Sequence, residues 1–433
     1  MNRRRDPLWV AFLPSAAVLL AAGGFGAGWL SATRSLRSTP AAKFAAALDR
    51  IEKAYYGEAP PERLVDAALR GMVEALDPNC AYFTAAEWKE FNETQLVGRF
   101  GGVGIVVEAD PATGYVTVVT PLEDTPAFRE DIRPGDQIRE VDGVSLRGLP
   151  LHEVIRRIKG PPGTEVRLTI FRKGREPFSV TLRRAMIQVR AVKARMLDGE
   201  VGYVRISDFT EMMDQFDAAV GDLRARGMKA LVLDLRFNHG GLLEESVKLA
   251  DRFLDDGTIV TTRGREGEEV REAHPGDTLP PWPLAVLVNE TTASASEVFA
   301  GAMKDRGRGT IVGTRTFGKG SVQTPFPLPD ESRLKITTAR YFTPRGVCVH
   351  REEGKKEYGI EPDVRVEMTA EEIDRLKAQW NAERIVKGDP PPEADPFVDL
   401  QLEAAVEVVR ARLEGRAPRV RERILGREGT PGR

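Results

Sequence analysis

Three side chains in one stretch of the chain have the types and spacing for acyl-transfer chemistry: Ser294, Lys319 and Gln323. Ser294 stands in Asn289-Glu290-Thr291-Thr292-Ala293-Ser294-Ala295-Ser296-Glu297, with an apolar run before it and a helical pattern after it. A serine at a strand-to-helix turn exposes its hydroxyl. The N–H groups of the helix start, with the positive end of the helix dipole, face a developing oxyanion. Ser294-Ala295-Ser296-Glu297 also spells a capping box, which starts helices without any catalysis. Both roles want the serine in the same place, so this stretch alone leaves them open.

A nucleophilic serine needs a base. The chain has 4 histidines (His152, His239, His274 and His350) and no Gly-x-Ser-x-Gly elbow, so a Ser–His–Asp hydrolase has little support. Lysine is the other common activator. It must be neutral to accept a proton, yet its reference pKa is about 10.4, and lowering that by about three units costs roughly 4 kcal/mol. Burial among apolar groups and neutral hydrogen-bond partners supplies such a shift. Lys319 is the candidate, in Phe317-Gly318-Lys319-Gly320-Ser321-Val322-Gln323. Its flanking glycines permit close backbone approach, and Gln323 offers a neutral amide to orient it. The plain alternative is a solvated lysine in a Gly-Lys-Gly turn.

A phosphate-binding loop is the rival reading, since Gly313 to Lys319 fits most of that pattern. Gly320 follows the lysine where Ser or Thr is required, and Val322-Gln323-Thr324-Pro325 is extended, so no helix receives a phosphate. Gly240 and Gly241 follow the run Leu233-Asp234-Leu235-Arg236-Phe237-Asn238-His239 and precede a helical pattern. Their N–H groups are candidates for half of an oxyanion hole, with the N–H of Ala295 as the other half. An ordinary tight turn explains the pair equally well.

These residues need a frame. Ala230–Leu235, Leu284–Val288 and Thr310–Gly313 read as strands, with helices over about Leu242–Leu254 and Ser294–Lys304. This strand–loop–helix repetition predicts an α/β core, whose active sites gather at the carboxyl ends of the strands. Residues 98–185 differ. Strand patterns at Gly104–Glu108, Tyr115–Thr120, Gln137–Val141, Val166–Phe171 and Phe178–Leu182 surround one helix, Leu151–Ile158. The glycine-rich stretch Gly101-Gly102-Val103-Gly104-Ile105 predicts a loop that offers N–H groups to a terminal carboxylate, while a peptide adds as a strand. Residues 36–97 read as helices, with stripes Phe44, Leu48, Ile51 and Leu64, Ala68, Met72, Leu76. Residues 369–433 are charged, with one amphipathic helix around Leu400–Val409 and an Arg-rich tail.

The formal net charge of −2 argues against nucleic acid as the main partner. Two cysteines, Cys80 and Cys348, argue against a disulfide scaffold or a cysteine-rich zinc site and leave a single bond open. No cofactor or metal is expected. Arg3, Arg4 and Arg5 precede an uncharged stretch in which Leu8–Leu30 is long enough to span a bilayer. The basic cluster should stay cytoplasmic, which exports everything after it. Residues 1–35 are therefore a signal anchor or a cleaved signal peptide, and either puts the body outside the cytoplasm.

Taken in order, these motifs resemble the carboxy-terminal processing, or tail-specific, proteases of the S41 peptidase class. The resemblance covers most of residues 40–368. Leu76-Asp77-Pro78 resembles that family's helical lead-in. Phe100–Ile105 and Pro134-Gly135-Asp136 with Asp142-Gly143 resemble its PDZ domain. The stretches around Gly240-Gly241, Ser294 and Lys319, then Thr338-Ala339-Arg340-Tyr341 and Gly359-Ile360-Glu361-Pro362-Asp363, resemble its protease blocks. The resemblance implies a ClpP/crotonase-like α/β core (186–368) with an inserted, mostly β PDZ domain (98–185). It implies Ser294 as nucleophile, Lys319 as general base and Gln323 as the residue that orients it. Substrates would be exported proteins cleaved at or near their C-termini, with the PDZ domain gating access. An activator lipoprotein and a homo-oligomer are the further partners considered. His239 stands where the family has proline or a small residue.

Overall fold

The computed structural model describes residues 39–382, 397–420 and 423. The expected membrane segment Leu8–Leu30 and most of the Arg-rich tail lie outside the described residues. Among the described residues, no helix is long and apolar enough to cross a membrane. Both cysteines are free, so the single bond left open does not form. The chain divides into two compact units, one ending at Tyr82 and the other starting at Phe83. Helix continues in the second unit to Val97, so the division between units falls inside the helical region.

In the first unit, α1 (Pro40–Ala54) starts where the Thr39 hydroxyl accepts the Ala42 N–H at 3.2 Å. Helix α2 (Pro61–Glu74) follows, and the Asp77 carboxylate closes the next turn by accepting the Asn79 N–H at 2.7 Å. The apolar stripes form no buried seam: Phe44, Ile51, Met72 and Leu76 are exposed.

The second unit opens with α3 (Ala85–Phe91), whose start is a complete capping box between Thr84 and Glu87. The chain then enters β1 (Arg99–Gly102), β2 (Ile105–Asp110), β3 (Tyr115–Pro121), β4 (Gln137–Val141), α4 (Leu151–Ile158), β5 (Glu165–Phe171) and β6 (Phe178–Arg183). Strands β2-β3-β4-β5-β6 form an antiparallel sheet in that order. Its own core joins Val116, Val118, Ile138, Leu168 and Ile170 to Val154 and Ile158 of α4. Strand β1 instead pairs with β7 (Ala185–Gln188). Gly101 and Gly102 thus lie in a ribbon rather than in the predicted loop. Glycine is needed there, because a Cβ on Gly101 would sit 2.1 Å from the Gly160 carbonyl oxygen.

The remaining chain builds the larger layer. It runs β8 (Val192–Met196), β9 (Val201–Ile206), α5 (Met213–Ala225), β10 (Ala230–Asp234), α6 (Leu243–Asp251), β11 (Thr258–Gly264), β12 (Gly267–Glu272) and β13 (Leu284–Val288). It continues with α7 (Ala295–Asp305), β14 (Thr310–Gly313), β15 (Ser321–Pro327), β16 (Arg333–Phe342), β17 (Val364–Arg365), α8 (Ala370–Ala382) and α9 (Leu400–Leu413). The sheet order is β8-β9-β10-β13-β14-β17, parallel from β9 onward. Every residue of β10 and β13 is buried, as continuous apolar strands covered on both faces must be. Alternate residues choose sides. Leu231, Leu233 and Val286 pack under α5, α6 and α7, whereas Val232, Ala285 and Leu287 pack under α9. A second sheet holds β15, β16, β11 and β12, with β16 paired to both β15 and β11.

Helix α9 is fixed by a buried charge cluster. The fully buried Arg236 guanidinium donates to Asp234 (2.6 Å) and in a bidentate manner to Asp399 (2.8 and 2.9 Å). Tyr203 donates its hydroxyl to Asp234 at 2.8 Å, and the Trp380 ring of α8 lies 5.4 Å from the guanidinium carbon. Arg236→Ala strands two carboxylates and should lower unfolding stability by about 3–5 kcal/mol, read from the urea midpoint. A change below 1 kcal/mol would show that the cluster holds nothing together.

Candidate active site

Ser294 is the residue immediately before α7, and its backbone is at φ 57°, ψ −120°. Such a conformation is rare for a residue with a side chain and persists only when its surroundings enforce it. The enforcement is visible residue by residue. Thr292, fully buried, accepts the Asn289 N–H at 2.9 Å and donates to the Leu235 carbonyl at 2.9 Å. The Ala293 N–H and the Ser296 hydroxyl both donate to the Asn238 carbonyl, at 3.0 and 3.2 Å. Ser246 of α6 donates its hydroxyl to the Ala295 carbonyl at 2.6 Å.

The lysine loop is joined to this turn by one side chain. Glu297 is fully buried. Its Oε2 accepts the N–H of Ser294 at 2.9 Å and the N–H of Lys319 at 2.8 Å. Its Oε1 accepts the N–H of Gly318 at 2.7 Å and the Thr316 hydroxyl at 2.5 Å. Tyr341 of β16 adds a second tie: its hydroxyl donates to the Ser294 carbonyl at 2.9 Å and also contacts the Lys319 carbonyl. Burial pushes the Tyr341 phenol well above its ordinary range, so it stays a donor. The two stretches singled out for chemistry are therefore brought together. The sequence had marked Glu297 only as a capping partner and Tyr341 only through the family resemblance.

Gln323 lies just past an irregularity in the β15–β16 pairing, between Val322 and Gln323. Its amide nitrogen donates to Ser321 Oγ at 2.9 Å and Thr337 Oγ1 at 3.2 Å. Both amide hydrogens are thereby engaged, and the carbonyl oxygen is left to accept. The run after Lys319 is strand β15, so no helix stands where a phosphate would need one.

The glycine loop differs from expectation at Gly240. Its N–H donates to Oδ1 of the fully buried Asn238 at 2.8 Å and so is already engaged. Asn238 is held there by its own Nδ2, which donates to the Ile206 carbonyl at 2.9 Å. The N–H groups of Gly241 and Ala295 make no hydrogen bond among the described residues. Gly240 is pressed against Ser294: a Cβ there would lie 2.7 Å from Ser294 Cβ. His239, between Asn238 and Gly240, is exposed.

In the smaller sheet, β2 pairs only with β3 among the described residues, which leaves its other edge open there. Gly104 has φ 78°, and a Cβ there would lie 2.3 Å from Thr125 Cβ. Ile105 packs into one apolar cluster with Leu151, Val154 and Ile158 of α4. No group of acidic, histidine or cysteine side chains able to hold a metal occurs among the described residues.

A serine turn and a lysine loop joined on an α/β layer, beside an antiparallel module with an open strand edge, fit a serine protease that carries a PDZ domain. The family model for peptidase family S41 matches residues 200–366, and that for the PDZ domain matches residues 94–171. A carboxy-terminal-processing protease of Bartonella bacilliformis is 36% identical over 394 residues, covering 86% of this chain and 88% of that protein. The carboxy-terminal processing protease CtpA of Bacillus subtilis is 34% identical over 326 residues, covering 74% and 68%. Among solved structures, a photosystem II D1 C-terminal processing protease is 29% identical, with 75% of this chain and 92% of that chain covered and a TM-score of 0.44. The chain belongs to peptidase family S41, among the carboxy-terminal processing proteases.

Glu297→Gln sets an amide NH2 against two of the four donors. At about 1–3 kcal/mol for each buried N–H left unpaired, the loss should be on the order of 2–6 kcal/mol. Burial also raises the Glu297 carboxyl above its ordinary 4.5. The folded state thus favours the protonated form more than the unfolded chain does. That contribution is complete below the ordinary value and fades as pH rises through the folded pKa. The gap between the urea midpoints of wild type and Glu297→Gln should therefore be widest at about pH 4 and narrow toward neutrality.

Proposed function

We propose that Ser294 is the nucleophile, Lys319 the general base and Gln323 the residue that orients the lysine, in an endopeptidase acting on exported proteins at or near their C-termini. The observation that carries this is the shared Glu297 oxygen, which binds the N–H groups of Ser294 and Lys319 at once. A neutral Lys319 amine takes the Ser294 proton as Oγ bonds to the scissile carbonyl carbon. The carbonyl π electrons move to oxygen, where the N–H groups of Gly241 and Ala295 receive the charge. Lys319, now an ammonium, returns the proton to the leaving amine as the C–N bond breaks. Water then attacks the acyl-enzyme, with Lys319 again accepting a proton. The Gln323 carbonyl oxygen orients the lysine without adding charge that would hold it protonated.

Recognition of the substrate tail falls to the open edge of β2, with Ile105 and the face of α4 forming the groove. Export follows from Arg3–Arg5 and the apolar stretch after them. The exposed apolar residues of α1 and α2 suit assembly into an oligomer or onto an activator protein.

Cleavage of fluorescein-labelled casein should vanish in Ser294→Ala and in Lys319→Ala, with each variant retaining the wild-type thermal melt to within a few degrees. Gln323→Glu sets a negative charge at the lysine, which favours the ammonium, so the acid limb of kcat/KM should move to higher pH. Undiminished cleavage by pure Ser294→Ala protein would falsify the assignment. For the PDZ reading, a peptide substrate with an amidated C-terminus should show a higher KM than the same peptide with a free carboxylate. Equal KM values would remove the tail from recognition.

A further inference from the structure

His350 has no role in the chemistry above, yet it touches the loop that carries it. It lies on the segment returning after β16, half-buried and within reach of solvent protons. That segment is zipped to the lysine loop by two hydrogen bonds. The Arg351 N–H donates to the Gly318 carbonyl at 2.8 Å, and the Gly320 N–H donates to His350 Nδ1 at 3.2 Å. These bonds grip the two glycines on either side of Lys319. The packing leaves no slack: a Cβ on Gly320 would meet His350 N at 2.8 Å and its Cβ at 2.9 Å.

The direction of the second bond fixes the state of the ring. An N–H donor pointing at Nδ1 requires a lone pair there, so the imidazole is neutral with its proton on Nε2. A protonated ring has two N–H donors and no acceptor, and it would turn an N–H toward the N–H of Gly320. The Gly320 N–H would then lose its partner, leaving the Tyr341 hydroxyl on the Lys319 carbonyl as the remaining tie on that peptide, and one of the anchors that set the direction of Lys319 would be gone.

We propose that His350 is a positioning residue for Lys319: its Nδ1 lone pair holds the Gly320 peptide in place and releases it when the ring takes up a proton. This rests on the reading of Lys319 as the base. The charged and titratable groups on the elements packed around it are Lys319 in the loop, Arg340 and Tyr341 on β16, and Cys348, Arg351, Glu352 and Tyr358 on the returning segment. On the acid side, activity then depends on two groups that must both be unprotonated, the lysine amine and the imidazole. The dependence is steeper than a lone lysine gives.

The test is the pH profile of kcat/KM for a quenched fluorescent peptide, measured on the full chain for wild type, His350→Asn, His350→Ala and Lys319→Ala. Asparagine sets an amide oxygen where Nδ1 stands, and that oxygen does not titrate. Wild type should approach a slope of two in log(kcat/KM) on the acid side, and His350→Asn a slope of one. Below the pH at which the ring takes up its proton, activity relative to pH 8 should be higher in His350→Asn than in wild type, by about tenfold for each further pH unit. His350→Ala should lower kcat by about five- to tenfold, the worth of one neutral hydrogen bond, with KM little changed. If His350→Asn keeps the wild-type acid limb while Lys319→Ala is inactive, the role of His350 is overturned and the base assignment stands. If Lys319→Ala remains active, the base assignment itself fails. A circular dichroism melt for each variant separates loss of positioning from loss of fold.

Discussion

A buried carboxylate with nowhere to put its charge is the constraint on which this site depends. Glu297 lies in the first turn of α7, fully buried. An ion in that position is tolerated only when its lone pairs are filled by donors. The fold supplies four at 2.5–2.9 Å, with the Tyr341 hydroxyl further off at 3.4 Å, and three of the four are backbone N–H groups of the serine turn and the lysine loop: Ser294, Gly318 and Lys319. The fourth is the Thr316 hydroxyl, which in turn accepts the Ile360 N–H at 2.6 Å. Satisfying the carboxylate and assembling the site are thus a single event. It also explains how Ser294 is kept at φ 57°, a conformation that costs about 1–3 kcal/mol when nothing compensates it.

The same logic recurs on the other face of the sheet. Asp234 ends β10 among the residues that face α9, where an unpaired carboxylate would be costly. Arg236 answers it and reaches Asp399, 163 positions further along the chain, at the start of α9. Trp380 of α8 lies against Arg236 and meets Phe237 edge-on with 5.5 Å between ring centroids. Phe237 has φ 61° and opens the turn that ends in Gly240 and Gly241. The C-terminal helices therefore belong to the layer that shapes the glycine loop rather than forming an appendage to it.

How much of this was legible follows from what kind of signal each part leaves. Strands β10, β13 and β14 read correctly because burial on both faces demands unbroken apolar runs, and α7 read correctly because a capping box precedes its pattern. Strand β16 was missed as an element. Arg333–Phe342 alternates charged and apolar residues only loosely, being paired on both edges but partly exposed on its faces. Its Tyr341 leaves no local trace, since the groups it ties lie 47 and 22 positions away. Glu297 was visible as half of a cap, but its bonds to Gly318 and Lys319 span 21 and 22 positions. Periodicity and local motifs report contacts within a turn or a strand. They are silent on a side chain that gathers donors from two distant loops.

The glycine pair shows where local reading misleads even when the residues are right. Two glycines after a strand look interchangeable as oxyanion donors, yet Asn238 separates them. Its Oδ1 takes the Gly240 N–H, its Nδ2 donates to Ile206, and its carbonyl receives Ala293 and Ser296. Turning Gly240 toward a substrate would strand a fully buried amide oxygen at about 1–3 kcal/mol. It would also loosen the residue whose carbonyl braces the Ser294 turn from behind. Gly240 serves the site differently. With no side chain it lets the loop approach to where a Cβ would lie 2.7 Å from Ser294 Cβ and 3.0 Å from the Ala295 nitrogen. Gly240 supplies the close approach with its N–H held by Asn238, whereas the Gly241 N–H makes no hydrogen bond among the described residues, a division set by a single asparagine two residues upstream of Gly240.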